Sequence, residues 1–265
     1  MIVEIRRPKT VREAVREKSA PGASYLGGGT WLNARPADGP VILVSLENLG
    51  LDGISLTDAG CDIGAAATFQ QIADTHGVPC AVQDAVLLTA SRTVRNMVTL
   101  GGELGLRPAD SALIPALMAL DAGVFVAGQK KPVSIGQLEH ERPGALILSA
   151  RVAAADRRCR LKTISRTAHG PRSIVVAASG RADGQVLREV RIIASDCTGQ
   201  RVRLVELEKD LEGASLPETA RLEKLTRSLF TPRADIHASA DYKRYIVGVL
   251  VADAVHELAA AEDAV

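Results

Sequence analysis

The most informative stretch of this sequence is TVRNMVTLGGEL at residues 93–104, and its counterpart is YLGGGTWLN at residues 25–33. In each stretch glycines follow an extended or loop segment, and a hydroxyl or polar residue lies beside them. Glycine lets the backbone approach a ligand closely and turn its N–H groups toward an anion. Two such loops can hold the two phosphates of a dinucleotide from both sides, although each loop alone is more often an ordinary turn. Neither stretch contains GxGxxG, so a Rossmann site is not predicted.

Composition limits the classes to which the chain can belong. Its 265 residues allow one large domain or two small ones, and 46% hydrophobic residues suffice for a core. Lys+Arg 32 against Asp+Glu 31 gives a net charge of +1, and aromatic residues make up only 3%, so no nucleic-acid partner is expected. No apolar run approaches the roughly 18 residues of a membrane span, and no secretory leader is recognisable. We therefore expect a cytoplasmic protein.

The cysteine and histidine patterns predict neither a metal site nor a hydrolase. The four cysteines form no CxxC pair, and the five histidines form neither HExxH nor HxH. The motifs GxSxG and GxxxxGK[ST] are missing as well. We therefore expect four reduced thiols, no metal ligands and no catalytic side chain, with a bound cofactor supplying the reactive centre.

Hydrophobic periodicity and capping residues predict an α+β chain. The predicted helices span residues 10–18, 68–77, 83–90, 112–121, 216–229 and 239–260, with capping boxes at Thr10 and Thr68. The predicted strands span residues 2–6, 23–26, 41–46, 54–56, 62–66, 124–127, 146–152, 158–164, 173–179 and 186–193, the last two as an antiparallel pair. Residues 91–102 are predicted to form a loop, and a domain boundary is expected near residues 153–158.

Motifs along the whole chain resemble the FAD-binding subunits of molybdenum hydroxylases, the xanthine dehydrogenase and carbon monoxide dehydrogenase group. TVRNMVTLGG at residues 93–102 resembles the family motif IRN-x-x-TIGG, IPALMALDA at 114–122 resembles LPALLALDA, and GGGT at 27–30 takes the place of AGGT. RLKTISR at 160–166 and DIHASADYKR at 235–244 are similar to FxKxxRR and DIRASAEYRR. The chain most resembles a purine- or selenium-linked enteric branch, which shares LNA-x-P, GGE and YKRYI-x-GVLVAD.

The resemblance implies a fold, a cofactor and partners. The implied fold is a vanillyl-alcohol-oxidase (PCMH) type FAD-binding domain at residues 1–155, with α+β subdomains at about 1–53 and 54–155. A sheet-and-helix C-terminal domain follows at residues 156–265. The implied cofactor is FAD, and the implied partners are a [2Fe–2S] subunit and a molybdopterin subunit. The chain would then be a xanthine dehydrogenase-like oxidoreductase subunit that passes electrons from iron–sulfur to FAD and on to NAD or another acceptor.

The resemblance also assigns residues to FAD. The first loop would surround the pyrophosphate and the second would close it from the other side, through Gly27, Gly28, Gly29, Thr30, Trp31, Thr99, Leu100, Gly101, Gly102 and Glu103. Ile147 would lie near the isoalloxazine ring, and Lys162 matches a lysine beside the flavin. Packing roles for Trp31 and Ile147 and a surface role for Lys162 stay open as alternatives. Arg166 is interpreted as structural or as part of a subunit interface, and residues 242–244 as helix packing and surface.

Two positions depart from the family pattern. Glu103 stands where the family has Asn. The repulsion between a carboxylate and a phosphate about 4 Å apart costs several kcal/mol at an effective dielectric of about 20. Ala112 stands where the family has Asp, and Asp110, helped by Ser111, would substitute for it. Two alternatives therefore remain: a flavin-free scaffold subunit with a degenerate FAD site, and a stand-alone flavin reductase.

Overall fold

The chain contains both helices and strands in the computed structural model, which describes residues 2–34, 39, 41–89, 91–141, 144–153, 157–167, 170–184 and 186–260. The helices are α1 (Val11–Lys18), α2 (Thr30–Ala34), α3 (Phe69–Asp74), α4 (Cys80–Leu87), α5 (Arg92–Arg95), α6 (Leu100–Leu106), α7 (Leu113–Ala119), α8 (Ile135–Glu141), α9 (Val205–Leu211), α10 (Thr219–Leu229) and α11 (Ala240–Ala260). The strands are β1 (Ile2–Arg6), β2 (Ala23–Leu26), β3 (Val41–Ser45), β4 (Ile54–Thr57), β5 (Gly60–Gly64), β6 (Gly123–Val126), β7 (Val133–Ser134), β8 (Ile147–Ala153), β9 (Arg158–Ser165), β10 (Arg172–Asp183), β11 (Val186–Asp196) and β12 (Arg201–Arg203).

The chain folds into two compact units. The first comprises Met1–Val78, Ala90–Leu106 and Ala122–Ala154. The second comprises Pro79–Thr89, Arg107–Asp121 and Ala155–Val265. Helices α4 and α7 therefore belong to the second unit although they lie in the N-terminal half of the sequence.

The first unit contains a parallel sheet and an antiparallel sheet. The parallel sheet has the strand order β1-β3-β2, and α1 crosses from β1 to β2. Thr10 begins α1 by accepting a 3.2 Å hydrogen bond from the backbone N–H of Glu13, and the helix packs Ala14 into a cluster with Val44 and Leu46. The antiparallel sheet has the order β4-β5-β8-β6-β7, so β8 lies between two strands that precede it in sequence.

The second unit is built on a four-stranded antiparallel sheet with the order β12-β11-β10-β9. One face of β10 and β11 packs against α9, α10 and α11, with Val176 and Ile192 in the same apolar cluster as Val251 and Val255. The other face packs against α7, where Ala177 and Ile193 join Ala119. Because both faces are covered, β10 is buried continuously over most of its length instead of alternating.

Most of the predicted elements are confirmed, including the antiparallel pair of β10 and β11 and the reciprocal capping box at Thr68. At Thr10 the hydroxyl caps α1 as predicted, but the Glu13 carboxylate accepts from the N–H of Lys9 instead of that of Thr10. The prediction of a loop at residues 91–102 is wrong, because α5 and the beginning of α6 lie there. Several boundaries also differ by two residues or more. Helix α3 ends at Asp74, α4 runs from Cys80 to Leu87, α7 ends at Ala119, and α10 begins at Thr219. Strand β5 spans Gly60–Gly64, and β10 and β11 continue to Asp183 and Asp196. The short elements α2, α8, α9, β7 and β12 were not predicted. The division at residue 155 into an FAD-binding and a C-terminal domain stays a prediction.

Candidate functional site

The two glycine stretches meet within the first unit. A Cβ atom at Gly28 would lie 1.4 Å from the carbonyl oxygen of Met97, and one at Gly27 would lie 2.8 Å from Oγ1 of Thr99. The first stretch thus lies directly against the backbone of the second. Contact this close is open only to glycine, because real Cβ atoms do not approach backbone atoms to such distances.

The first stretch offers a run of free backbone donors. The N–H groups of Gly27, Gly28, Gly29 and Thr30 donate to no acceptor in the part of the chain that the structure describes. The turn is closed instead by the N–H of Asn33, which donates to the carbonyl oxygen of Gly29 at 3.0 Å as α2 begins. Successive unpaired N–H groups are the arrangement that binds phosphate oxygens. This loop can therefore hold an anionic group.

The second stretch uses its donors inside the protein. The N–H of Leu100 donates to the carbonyl of Ala67 at 3.0 Å, and that of Gly101 donates to the carbonyl of Ala65 at 2.7 Å. The N–H of Gly102 donates to Oγ1 of Thr99 at 3.1 Å, and that of Glu103 donates to the Thr99 carbonyl at 3.0 Å. Residues 100–103 are therefore the first turn of α6, and their N–H groups hold the second stretch against residues 65–67.

Ala65 connects the second glycine stretch to the antiparallel sheet. A Cβ atom at Gly101 would lie 2.8 Å from Cβ of Ala65, and the N–H of Ala65 donates to the carbonyl of Leu148 at 2.9 Å. The start of β8, which includes the buried Ile147, therefore lies beside Ala65, and Ala65 in turn contacts Gly101 of the second stretch. Neither Ala65 nor the carbonyl of Met97 was recognisable from sequence, because both contribute through their backbone and carry no chemical signature.

The other residues of the first unit that were predicted to contact FAD differ in their exposure to solvent. Trp31, on α2, is exposed, as are Val94 and Met97 in the second stretch. Glu103 is buried on α6 and engaged in a further interaction. An apolar surface is thus available beside the free N–H groups, whereas the Glu103 carboxyl is withdrawn from solvent.

Asp110 and Lys162, the other predicted FAD residues, lie in the second unit. Burial lowers the pKa of Arg172, and the charge of Asp110 partly opposes that shift. Lys162, on β9, forms ion pairs with Glu257 and, at 2.7 Å, with Asp253, both on α11. Burial lowers the pKa of Lys162, but these two carboxylates outweigh it and raise the pKa. Ser111 accepts a 3.2 Å hydrogen bond from the N–H of Ile114, so its hydroxyl caps α7. The roles of Asp110 and Lys162 toward FAD stay predictions.

The described residues show neither a cluster of metal-binding side chains nor a helix suited to a membrane. Among them, no group of three or more His, Cys, Asp or Glu side chains is placed to bind a metal ion. No described helix combines the length and apolar character needed to cross a membrane.

Comparison with known proteins gives matches over nearly the whole chain. A family model described as the FAD binding domain in molybdopterin dehydrogenase matches residues 2–140. The uncharacterized protein YgfM of Escherichia coli K12 is 33% identical over 257 residues, which cover 96% of this chain and 95% of that protein. A chain of the reconstituted CO dehydrogenase from Oligotropha carboxidovorans matches with a TM-score of 0.86 at 22% identity, covering 97% of each chain.

A chain of quinoline 2-oxidoreductase from Pseudomonas putida 86 matches with a TM-score of 0.82 at 22% identity, covering 97% of this chain and 98% of that one. At these identities the two structural matches establish the fold. They confirm the α+β architecture that the sequence motifs implied.

Proposed function

Because this chain belongs to the family of FAD-binding domains of molybdopterin dehydrogenases, we propose that it is the electron-transfer subunit of a molybdopterin-dependent hydroxylase or dehydrogenase. In this proposal it receives electrons from a [2Fe–2S] subunit, assembles with a molybdopterin subunit, and passes electrons to NAD or another acceptor. We place the complex in the cytoplasm and class it as xanthine dehydrogenase-like. FAD, when bound, supplies the two-electron and one-electron chemistry.

The single observation that carries the proposal is the run of free N–H groups at residues 27–30. Four neighbouring backbone donors suit the oxygens of the FAD pyrophosphate, and glycine leaves the phosphates room to reach the backbone. The donors need no reorganisation on binding, because the turn is already closed by Asn33 and supported by Met97. Residues 27–30 would therefore bind the pyrophosphate, and the exposed Trp31 and Met97 would cover apolar parts of the cofactor.

The second stretch would position the first instead of donating its own N–H groups. The N–H groups of residues 100–103 already donate to acceptors within the chain. These residues would therefore contribute by fixing the position of α6. The backbone N–H of Thr99 donates to no acceptor in the described chain, which leaves one donor on this side for a phosphate oxygen. Glu103 is buried, and a buried carboxylate close to the pyrophosphate would repel it more strongly than an exposed one, because less water screens the two charges.

We also propose that the chain belongs to the purine- or selenium-linked enteric branch. The support is the sequence LNA at 32–34, GGE at 101–103 and YKRYI at 242–246. The similar E. coli protein is described as uncharacterized, so it contributes no substrate to the proposal. In an enzyme of this design the molybdopterin subunit selects the substrate.

The test begins with the visible absorption spectrum of the purified protein. Bands near about 370 and 450 nm, together with reduction by NADH, are expected of the proposed subunit. A spectrum that stays flat after addition of FAD would transfer support to the scaffold alternative, which the buried carboxylate of Glu103 beside Gly102 favours. A large gain in FAD affinity in Glu103→Asn would then identify this carboxylate as the cause.

Gel filtration of the native protein tests the remaining alternative. A stand-alone flavin reductase would elute as the 27.9 kDa chain or a simple multiple of it, with full NADH activity. The proposed subunit is expected to elute with chains that carry iron–sulfur and molybdopterin domains.

A further inference from the structure

Arg172, the first residue of β10, is a buried cation of the second unit. It is 7% exposed, and among the described residues Lys243 is the other basic residue that is buried to this extent. Lys243 forms an ion pair with Asp235. Arg172, in contrast, forms no ion pair with a carboxylate in the part of the chain that the structure describes. Its charge is therefore removed from water without a direct counter-charge.

The guanidinium of Arg172 uses few of its hydrogen-bond donors. It donates to the carbonyl oxygen of Leu88 at the end of α4 and, at 3.4 Å, to that of Gly170. Its Nε atom is buried and has no hydrogen-bond partner among the described residues. A guanidinium carries five N–H donors, so more than half of those of Arg172 have no acceptor in the described chain. The side chain thus lacks acceptors as well as a counter-charge.

The surroundings of Arg172 compensate its charge only in part. Burial lowers the pKa of Arg172, and the charge of Asp110, which forms no ion pair with it, opposes part of that shift. The C-terminal end of α4 also favours a cation, because the helix dipole is negative there. Both contributions are smaller than the cost of removing an ion from water, and arginine keeps its charge in proteins. The buried guanidinium therefore still needs an anion.

Burial distinguishes Arg172 from the exposed cations of the chain. Water solvates the charge of an exposed side chain such as Arg12, so that side chain needs no partner. The side chain of Arg157 offers a better comparison, because it is 10% exposed and its Nε also lacks a partner. Arg157, however, pairs with Asp121 at 2.8 Å and with Glu189 at 3.0 Å. Arg172 combines the burial with the missing carboxylate.

We propose that Arg172 is the centre of an oxyanion site in the second unit and that its ligand is a phosphate group. A guanidinium binds phosphate oxygens through parallel N–H donors, and burial strengthens the contact because little water screens it. The part of Arg172 that stays exposed is where the anion approaches. Phosphate offers the free donors more oxygens than a carboxylate does, and FAD, the cofactor of this family, carries it.

The phosphate has two possible sources, FAD and free inorganic phosphate. The first source rests on the proposed function, whereas the second does not. The experiment below distinguishes them.

The experiment measures binding of inorganic phosphate to the full-length chain freed of FAD. The free energy of unfolding is followed in urea while potassium phosphate replaces potassium chloride at constant ionic strength, and its saturable part gives the Kd. Phosphate also stabilises proteins non-specifically, so the comparison between variants carries the result. Arg172→Gln should weaken phosphate binding by about 10- to 100-fold, as expected for the loss of a charge-assisted contact. Arg157→Gln is the matched control and should bind phosphate as wild type does, because Arg157 already has carboxylate partners.

Two further variants keep the test decisive if Arg172→Gln does not fold. Arg172→Lys retains the charge without the planar fork, so its phosphate affinity should lie between those of wild type and Arg172→Gln. Asp110→Asn leaves Arg172 in place and removes a negative charge that acts on it, so phosphate should bind several-fold more tightly than to wild type. A purely structural role of Arg172 does not predict tighter binding in Asp110→Asn.

Saturation with FAD distinguishes the two sources. If the phosphate belongs to FAD, bound FAD should abolish the saturable stabilisation by inorganic phosphate, and Arg172→Gln should weaken FAD binding about tenfold. If the site takes free phosphate, the stabilisation should persist in the FAD-loaded protein and FAD affinity should be unchanged.

The outcomes separate the oxyanion site from the proposed function. Equal stabilisation by phosphate in wild type, Arg172→Gln and Asp110→Asn overturns the site, because it reduces the effect to an adventitious ion only. Wild type that binds phosphate through Arg172 and does not bind FAD overturns the proposed function and leaves the site intact.

Discussion

Gly28 is the position where an added methyl group has least space, because its Cβ would lie 1.4 Å from the Met97 carbonyl oxygen. We expect Gly28→Ala to separate the two glycine stretches and displace the free N–H groups. FAD affinity should fall at least tenfold, or by about 1.4 kcal/mol, measured by quenching of flavin fluorescence.

The matched control is Gly105→Ala on α6, where a Cβ meets nothing within 4 Å. Helix propensity predicts that this control gains up to about 1 kcal/mol of stability with FAD affinity unchanged. Equal affinity in both variants would remove the glycine contact from the site.

Asp235 should govern the response of the second unit to acid. Asp235→Asn leaves the buried Lys243 without a counter-ion, so the free energy of unfolding at pH 7 should fall by about 3–5 kcal/mol in urea titrations. Asp241→Asn is the control, because Asp241 is exposed and its pair with Arg244 should contribute less than about 1 kcal/mol.

The pH dependence follows from the lowered pKa of Asp235. A carboxyl whose pKa is lower in the folded state stabilises the protein fully above its unfolded pKa of about 3.9, and loses this contribution as the pH falls toward the folded pKa. Wild type should therefore lose more stability than Asp235→Asn when both are acidified below about pH 4. Parallel curves for the two proteins would contradict the assigned ion pair.

At the scale of elements, α3 supports the second glycine stretch through its first residues. Thr68 and Gln71 form a reciprocal capping box, and the N–H of Phe69 donates to the carbonyl of Val98 at 2.9 Å. Thr68→Ala should cost about 1 kcal/mol of stability, as cap losses do, and should also weaken FAD binding several-fold. Thr10→Ala removes the cap of α1 and should cost a similar amount of stability without a comparable loss of FAD affinity. Thermal unfolding and flavin titration of both variants provide the comparison.

The same elements show what the sequence could and could not predict. Capping boxes at Thr10 and Thr68 are local chemical signals, and both helices begin where those signals predict. Only the beginning of α6, residues 100–102, was predicted as loop, and Gly101 and Gly102 each disfavour a helix by about 1 kcal/mol. Close approach to Ala65 requires glycine at 101, so a contact distant in sequence overrides the local preference. The insertion of β8 between β5 and β6 likewise depends on nonlocal pairing that no local pattern contains.

At the scale of the whole molecule, the compact units do not follow the order of the sequence. Composition and strand pattern predicted one boundary near residues 153–158, yet α4 and α7 pack with the later sheet in the second unit. Ala119 of α7 lies in one apolar cluster with Ala177 and Ile193, and its carbonyl accepts a hydrogen bond from Ser179. The sequence of a buried helix such as α7 does not identify the sheet that the helix packs against, so this assignment needed the structure.

Thiol labelling can determine which of these units FAD stabilises. Cys61 belongs to the first unit and Cys159 to the second, and burial raises the pKa of Cys61 to about 11 and that of Cys159 to about 12. Cys80 is exposed and is removed in a Cys80→Ser background, in which the buried Cys61 should react with a disulfide reagent only as the first unit unfolds. Cys159 is partly exposed, so its labelling rate is compared with and without FAD. With FAD at about 100 times its Kd, labelling of Cys61 should slow by about 100-fold, because a ligand of the folded state depletes the open state in proportion to 1 + [L]/Kd.

Labelling of Cys159 then tests the two residues that sequence resemblance assigns to FAD from the second unit. If Asp110 and Lys162 contact the cofactor, FAD should also slow the labelling of Cys159, because binding then depends on the folded second unit. Replacing both residues by alanine should restore labelling of Cys159 while Cys61 remains protected.

Lys162 already pairs with Asp253 and Glu257, so Lys162→Ala alone also frees two carboxylates. Arg160→Ala, next to the same Glu257, controls for that change. Protection of Cys61 without any protection of Cys159 in the wild type would assign FAD to the first unit alone and withdraw both residues from the site.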